Sequence, residues 1–146
     1  MATTALNQTA YAVEADNLII GATYPVLTRK LTIQNPEVAL KRGMAVIAGI
    51  VTEEASDGGG GTVDVKSLDG KLYIAGAEGS NSDAIDGYIC GILVADADAD
   101  TTSTTIDAYA YVSGAFNIAA VTSLDDDSYD VADGVLGAQG YGIYLL

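Results

Sequence analysis

Apolar residues recur in this chain mostly at every second position, the signature of half-buried strands rather than of helices. The stretch Val26 to Ile33 places Leu27, Leu31 and Ile33 on one side, with Lys30, Thr32 and Gln34 on the other. Met44 to Val51 is apolar almost throughout and rich in β-branched residues, as expected of a strand covered on both faces. Tyr88 to Val94 is a further apolar strand. In Thr104 to Val112, Ile106, Ala108, Ala110 and Val112 make a small apolar face, read as core, and Asp107, Tyr109 and Tyr111 make the other. Two tyrosines in a row on that second face read as a contact surface, since rigid amphipathic rings favour interfaces; the alternative is a second sheet packed over them.

Turn chemistry divides these runs. Gly58 to Gly61 are four consecutive glycines, too costly inside a helix or strand, so they mark a loop tip. No Gly-Lys-Ser/Thr follows them, which excludes a phosphate cradle. Asp69-Gly70, between Val63 to Ser67 and Leu72 to Ala75, predicts a tight hairpin. Glu78 to Gly87 is rich in Gly, Ser, Asn and Asp and reads as an irregular surface loop. Ser123, Leu124 and Asp125 to Asp127 predict a helix start, with a capping hydroxyl and acids that complement the dipole. Tyr141 to Leu146 is apolar, which predicts a final strand docked in the core or in a subunit interface.

The first ten residues are small and polar, and the chain turns apolar from Tyr11 to Ile20. Residues 1–20 are therefore read as a flexible N-terminal arm. Tyr11, Val13, Leu18, Ile19 and Ile20 suit it to ordering on a partner by adding a strand to a sheet edge. The equal alternative is an ordinary strand within its own domain. Residues 21–146 read as one compact, mainly β domain with one or two short helices, since no repeat of twenty to fifty residues emerges.

Charge narrows the partners. Residues 1–71 hold all six basic residues against eight acids, for −2, whereas residues 72–146 hold twelve acids and no base, for −12. Nucleic-acid binding rests on Lys and Arg displacing counterions, so nucleic acid and anionic membranes are excluded as expected partners. Nothing approaches the roughly 20 apolar residues of a membrane span, and the first thirty residues do not resemble a signal peptide.

Candidate chemistry is sparse. The chain has no histidine, and its one cysteine, Cys90, lies in an apolar run, where it reads as a small buried hydrophobe with no disulfide partner. Asp125, Asp126 and Asp127 are sequence neighbours at a helix start, so their carboxylates point in different directions. A carboxylate-dependent hydrolase would need two converging acids in a pocket. Asp96, Asp98, Asp100 and Asp107 match the acid positions of a calcium loop, but Thr101 stands where that loop needs Gly, and Asp107 falls in a strand. An acidic turn between strands is the reading adopted. The alternative function from these residues is an acidic extracellular or surface-layer β domain that binds calcium.

Three segments point further: Leu40-Lys41-Arg42-Gly43 before an apolar strand, Gly91-Ile92-Leu93 before an acidic turn and a Thr-rich strand, and Gly114-Ala115-Phe116-Asn117 before a short apolar segment. In that order they resemble the head decoration proteins of lambda-like tailed phages. The resemblance covers Lys41 to Phe116 and extends toward the C-terminal strand. It implies a β-clip domain that sits as a homotrimer at threefold and quasi-threefold points of an expanded capsid and cements it against packaged DNA. Such a protein is made in the host cytoplasm and resides on the outer surface of the virion. Its partner is the major capsid protein, and it uses no cofactor, catalytic residue or small-molecule substrate. By that analogy the arm pairs with the capsid, while Tyr109, Tyr111 and Phe116, as aromatic residues, are the candidates for the surface between copies. The chain departs from the compact members in a longer Val51 to Gly87 region, which carries the tetraglycine, and in its acidic second half.

Overall fold

The computed structural model of the chain describes residues 17–21, 24–79, 83, 85–124 and 142–146. Tyr11 and Val13 of the arm, and the acids of the helix start at Asp125 to Asp127, lie outside these residues. The fold is mainly β, with strands β1 (Leu27–Gln34), β2 (Ala45–Ser56), β3 (Thr62–Ile74), β4 (Gly87–Leu93), β5 (Thr105–Phe116) and β6 (Ile143–Leu145). A single 3-10 turn, Ile118–Ala120, is the one helical element among the described residues. Five strands pair antiparallel in the order β1-β5-β4-β2-β3, and β6 runs parallel beside β5.

β2 shows how the core is built. Successive strand side chains point to opposite faces, and Ala45, Val46 and Ile47 are all fully buried, so both faces are covered. Ala45 and Ile47 pack with Leu18, Ile89, Ile92, Phe116 and Ile143 on one face. Met44 and Val46 pack with Ile33, Leu40, Ile74, Leu93 and Ala110 on the other. Sheet twist brings Cα atoms of β1 and β3, the two ends of the strand order, within 8 Å of each other. The sheet thus curls around the second cluster, while Leu18, Val121 and β6 cover the first. Each large side chain so buried contributes on the order of 1.5–3 kcal/mol.

The hairpin turn lies at the tetraglycine and not at Asp69-Gly70. β2 and β3 pair from Ser56↔Thr62 inward, and Asp57 closes the tip by accepting from the Gly59 and Gly61 amides at 2.7 and 3.1 Å. Asp69 and Gly70 sit inside β3 as a bulge, since Leu68 pairs with Ile50 and Leu72 with Ala48, leaving three residues opposite Gly49. The dipeptide does make a local turn, with Gly70 at φ 80° and Asp69 accepting from the Lys71 amide at 2.8 Å. The flanking runs nevertheless find their partner in β2, where the apolar residues are buried, and not in each other.

The alternation expected of β5 holds only to Tyr109. Beyond it Ala110, Tyr111, Ala115 and Phe116 are all buried, because β6 and the segment around Leu18 lie against this end of the strand. Ile19 bridges Phe116, the Ile20 amide donates to Ala115 O at 2.9 Å, and the Asn117 amide donates to Leu18 O at 2.9 Å. Leu18 itself is 1% exposed. Of the two readings of this segment, the intramolecular one describes residues 18–20, and Leu18 is withdrawn from the capsid-binding set.

Candidate interaction surfaces

The three segments singled out in the sequence meet in one unit, the first two joined by hydrogen bonds and the third by a ring contact. Leu40 exchanges two backbone hydrogen bonds with Ala97, of 2.8 and 3.1 Å. Gly43 turns the chain at φ 92° and donates to Leu93 O at 3.0 Å; a Cβ there would lie 2.9 Å from Ala120 O, so the turn requires glycine. The Arg42 amide donates to Asp96 Oδ1 at 2.8 Å. From Nη1, Arg42 donates to Val94 O at 2.8 Å and to the Tyr111 hydroxyl at 2.7 Å, with its guanidinium 5.4 Å from the centre of the Tyr111 ring. The Tyr111 ring packs on Phe116 at 5.5 Å between centroids. This unit is framework: its polar groups satisfy one another, and what they do is hold the β2 entry, the end of β4 and the end of β5 together.

That placement revises the surface expected between copies. Tyr111 is 8% exposed and Phe116 fully buried, so both are spent on the core of their own chain. Tyr109, 63% exposed, remains available to a partner. It stands directly opposite Lys30 of β1.

Among the described residues two apolar surfaces stay open. The first surrounds the point where the chain enters the domain, with Ile19, Ile20, Val26, Leu27 and Leu146 exposed, beside Tyr24 stacked on Tyr144 at 4.4 Å. Ile19 and Ile20, which the sequence reading offered to a capsid partner, keep exposed side chains while their backbone pairs internally. The second is the outer half of the β2–β3 ribbon, where Val51, Val63 and Val65 are exposed. Reading Asp69-Gly70 as the turn hid this ribbon. Its signal was present in the alternation Val51, Ala55, Val63, Val65 on the two sides of the tetraglycine.

The acids of the calcium-loop reading point to separate tasks. Asp96 takes the Arg42 amide, and Asp107 accepts from the Thr32 hydroxyl across β1 and β5 at 2.8 Å. Asp100 caps its own turn, accepting from the Thr102 amide at 2.8 Å, the Thr102 hydroxyl at 3.0 Å and the Ser103 amide at 3.1 Å. These bonds, the Thr102 amide foremost, hold its carboxyl down at about 2. Among the described residues no three His, Cys, Asp or Glu side chains gather as a metal site, so nothing in the geometry favours the calcium alternative.

Other reactive groups are similarly committed. Burial pushes the Cys90 thiol up to about 11; the residue packs half-buried at the edge of the second cluster, where its apolar surroundings had predicted a fully buried one. Tyr73 is pushed up to about 12, first by burial and then by Asp69, whose Oδ2 accepts its hydroxyl proton at 2.7 Å. A cavity of about 410 Å3 opens beside Tyr73, with Glu37 and Glu78 on its walls; both of these carboxylates are on exposed residues. No helix among the described residues is long and apolar enough to cross a membrane. Comparison of the chain with protein-family models, curated proteins and solved structures finds no match.

Proposed function

We propose that this chain is a structural virion protein of the capsid decoration kind. In this reading it attaches as a trimer to the outside of an expanded phage shell, at threefold and quasi-threefold points, and stabilises the shell against internal DNA pressure. The carrying observation is the conjunction of Arg42 with Tyr111, 69 residues away. Segments that resemble the decoration family in sequence order are the same ones that close on each other through Arg42, Gly43, Leu93, Tyr111 and Phe116. A family signature made of residues that hold a fold is what a protein selected for binding and rigidity retains. The fold is mainly β, as a β-clip domain requires.

The apolar surface at Ile19, Ile20, Leu27 and Leu146 adjoins the point where residues 1–16 join the domain, which suits attachment through that segment. One such contact is weak alone, and three linked in a trimer act together at high effective concentration.

The test is co-sedimentation with undecorated, expanded shells of the virus that encodes the chain. The full chain is compared with a form lacking residues 1–15, a boundary that spares Leu18. Saturable binding that falls on truncation is expected. A full chain that stays in the supernatant at every concentration overturns the reading.

A further inference from the structure

We propose that the outer edge of β2, along Thr52, Glu54 and Ser56, is a strand-addition site, and that its occupant is an extended segment of the shell protein in which apolar residues alternate with Lys or Arg. The shell as donor rests on the decoration reading above, whereas the edge rests on the hydrogen-bond pattern of the β2–β3 ribbon.

In an antiparallel pair, successive residues alternate between turning their N–H and C=O toward the partner and turning them away. At the ribbon tip the Asp57 amide donates across to Gly61 O at 3.1 Å, and at its base the Ala75 amide donates to Ala45 O at 2.9 Å. Odd-numbered residues of β2 therefore face β3. Even-numbered ones face the other way, where the Ile50 amide donates to Asp86 O at 2.8 Å. The irregularities in pairing place their extra residues in β3 and β4, so the alternation along β2 is unbroken. β4 covers this edge only as far as Gly49↔Gly87. Past Ile50 the edge continues with Thr52, Glu54 and Ser56, whose outward backbone groups meet no partner among the described residues. Such a row of amides and carbonyls in line with β4 is a template for one more strand. From Thr52 to Ser56 it spans about 14 Å, enough for a strand of roughly five residues.

Side chains along the edge decide what that strand carries. Val51, Glu53 and Ala55 share one face with Val65 and Val63 of β3, and Thr52, Glu54 and Ser56 share the other. Val51, Val63 and Val65 are 41%, 49% and 47% exposed, so apolar residues of an added strand find apolar neighbours on the first face. Glu53 and Glu54 are exposed, and no base lies between Val51 and Ser56. Opposite charges on adjacent strands stabilise their pairing and like charges oppose it. A strand of alternating apolar and basic residues sets the first kind beside Val51 and Ala55 and the second beside Glu54. The two acids together reject an acidic strand.

This chain is a poor donor. Residues 1–16 and 125–141 hold seven acids and no Lys or Arg. β1 carries Arg29 and Lys30 but pairs with β5 on one edge and approaches β3 within 8 Å on the other. On β3, Lys66 shares its face with Asp64. Two copies joined edge to edge along β2 would set Glu53 and Glu54 against the same acids. The complementary strand thus belongs to a different protein, which for a decoration protein is the shell.

The experiment adds capped peptides to the full chain and follows amide hydrogen exchange by NMR. The probes are acetyl-Lys-Val-Lys-Val-Lys-Val-amide, its counterpart with Glu for Lys, and one with Pro for the central Val. The Lys-Val peptide is expected to slow exchange at Thr52, Glu54 and Ser56 by about tenfold or more, and the other two are expected to leave it unchanged. Thr52→Pro removes one outward N–H and keeps the pairing with β3. It should retain the wild-type circular dichroism spectrum while peptide binding and shell co-sedimentation both weaken about tenfold; Ser56→Pro repeats the test at a second outward amide. No slowing at millimolar peptide overturns the site, as does equal slowing by the proline peptide, which would be charge attraction alone. Peptide addition with shell binding unchanged in both proline variants overturns the shell as donor. A wild type that ignores shells defeats the decoration reading, and the exchange data then decide the edge by themselves.

Discussion

Arg42 donates to the Tyr111 hydroxyl at 2.7 Å and, from the same nitrogen, to the Val94 carbonyl at 2.8 Å. One guanidinium thereby ties the turn before β2 to the exits of β4 and β5. One nitrogen serves both acceptors while the planar guanidinium lies over the Tyr111 ring, a flat, delocalised contact that a lysine ammonium does not reproduce.

Arg42→Ala should therefore cost about 1–2 kcal/mol, since it strands a part-buried hydroxyl and a part-buried carbonyl, and Arg42→Lys about 1 kcal/mol. Urea unfolding of both variants against the wild type measures this. Losses below about 0.5 kcal/mol in both would reduce the unit to an ordinary surface contact.

Truncation should distinguish an appendage from a core segment. Removing residues 1–15 is expected to leave the unfolding midpoint within a degree or two of the wild type, whereas removing residues 1–20 should cost about 2–4 kcal/mol. The longer deletion takes away Leu18 and its backbone bonds to Asn117 and Ala115. Equal midpoints for the two truncations would contradict the placement of Leu18.

Tyr73 provides an alkaline signature. Its folded value of about 12 lies above the unfolded value of about 10. The stability tied to its protonated form is complete below about pH 10 and is lost as pH rises from there toward 12. Tyrosinate absorbance should show a late-titrating component that Tyr73→Phe removes and that Asp69→Asn moves down. Were the group lost in Tyr73→Phe to titrate near 10, the packing of Tyr73 against Asp69 would be wrong.

Asp100 provides the acid counterpart. Its folded value of about 2 lies below the unfolded value of about 4. Its contribution is present above about pH 4 and is lost as pH falls toward 2. Carboxyl NMR shifts should place the Asp100 midpoint near 2, and Asp100→Asn should flatten the acid limb of stability. A midpoint near 4 would mean that the Thr102 and Ser103 amides do not cap it in solution.

Strand positions were legible in the sequence because alternation and backbone cost are local. Val26 to Ile33, Met44 to Val51, Tyr88 to Val94, Thr104 to Val112 and the C-terminal run each overlap a strand of the fold. The tetraglycine is a loop tip because four glycines suit nothing else. The sequence also marked Leu40 to Gly43, Gly91 to Leu93 and Gly114 to Asn117 as the stretches to watch, and these close into one unit.

What the sequence could not decide was cover. A period of two says which side chains share a face, not what lies over that face. Tyr109 and Tyr111 share one face of β5 in sequence, yet the first is open to solvent and the second is sealed by Arg42 and Phe116, held in place by Leu18 and the C-terminal strand. The same gap made Asp69-Gly70 look like a turn, since its flanks find apolar partners only across in β2. Pairing and cover depend on residues far apart in the chain, whose free energy of burial is defined only once the sheet has curled and β6 has docked; the local pattern carries no record of them.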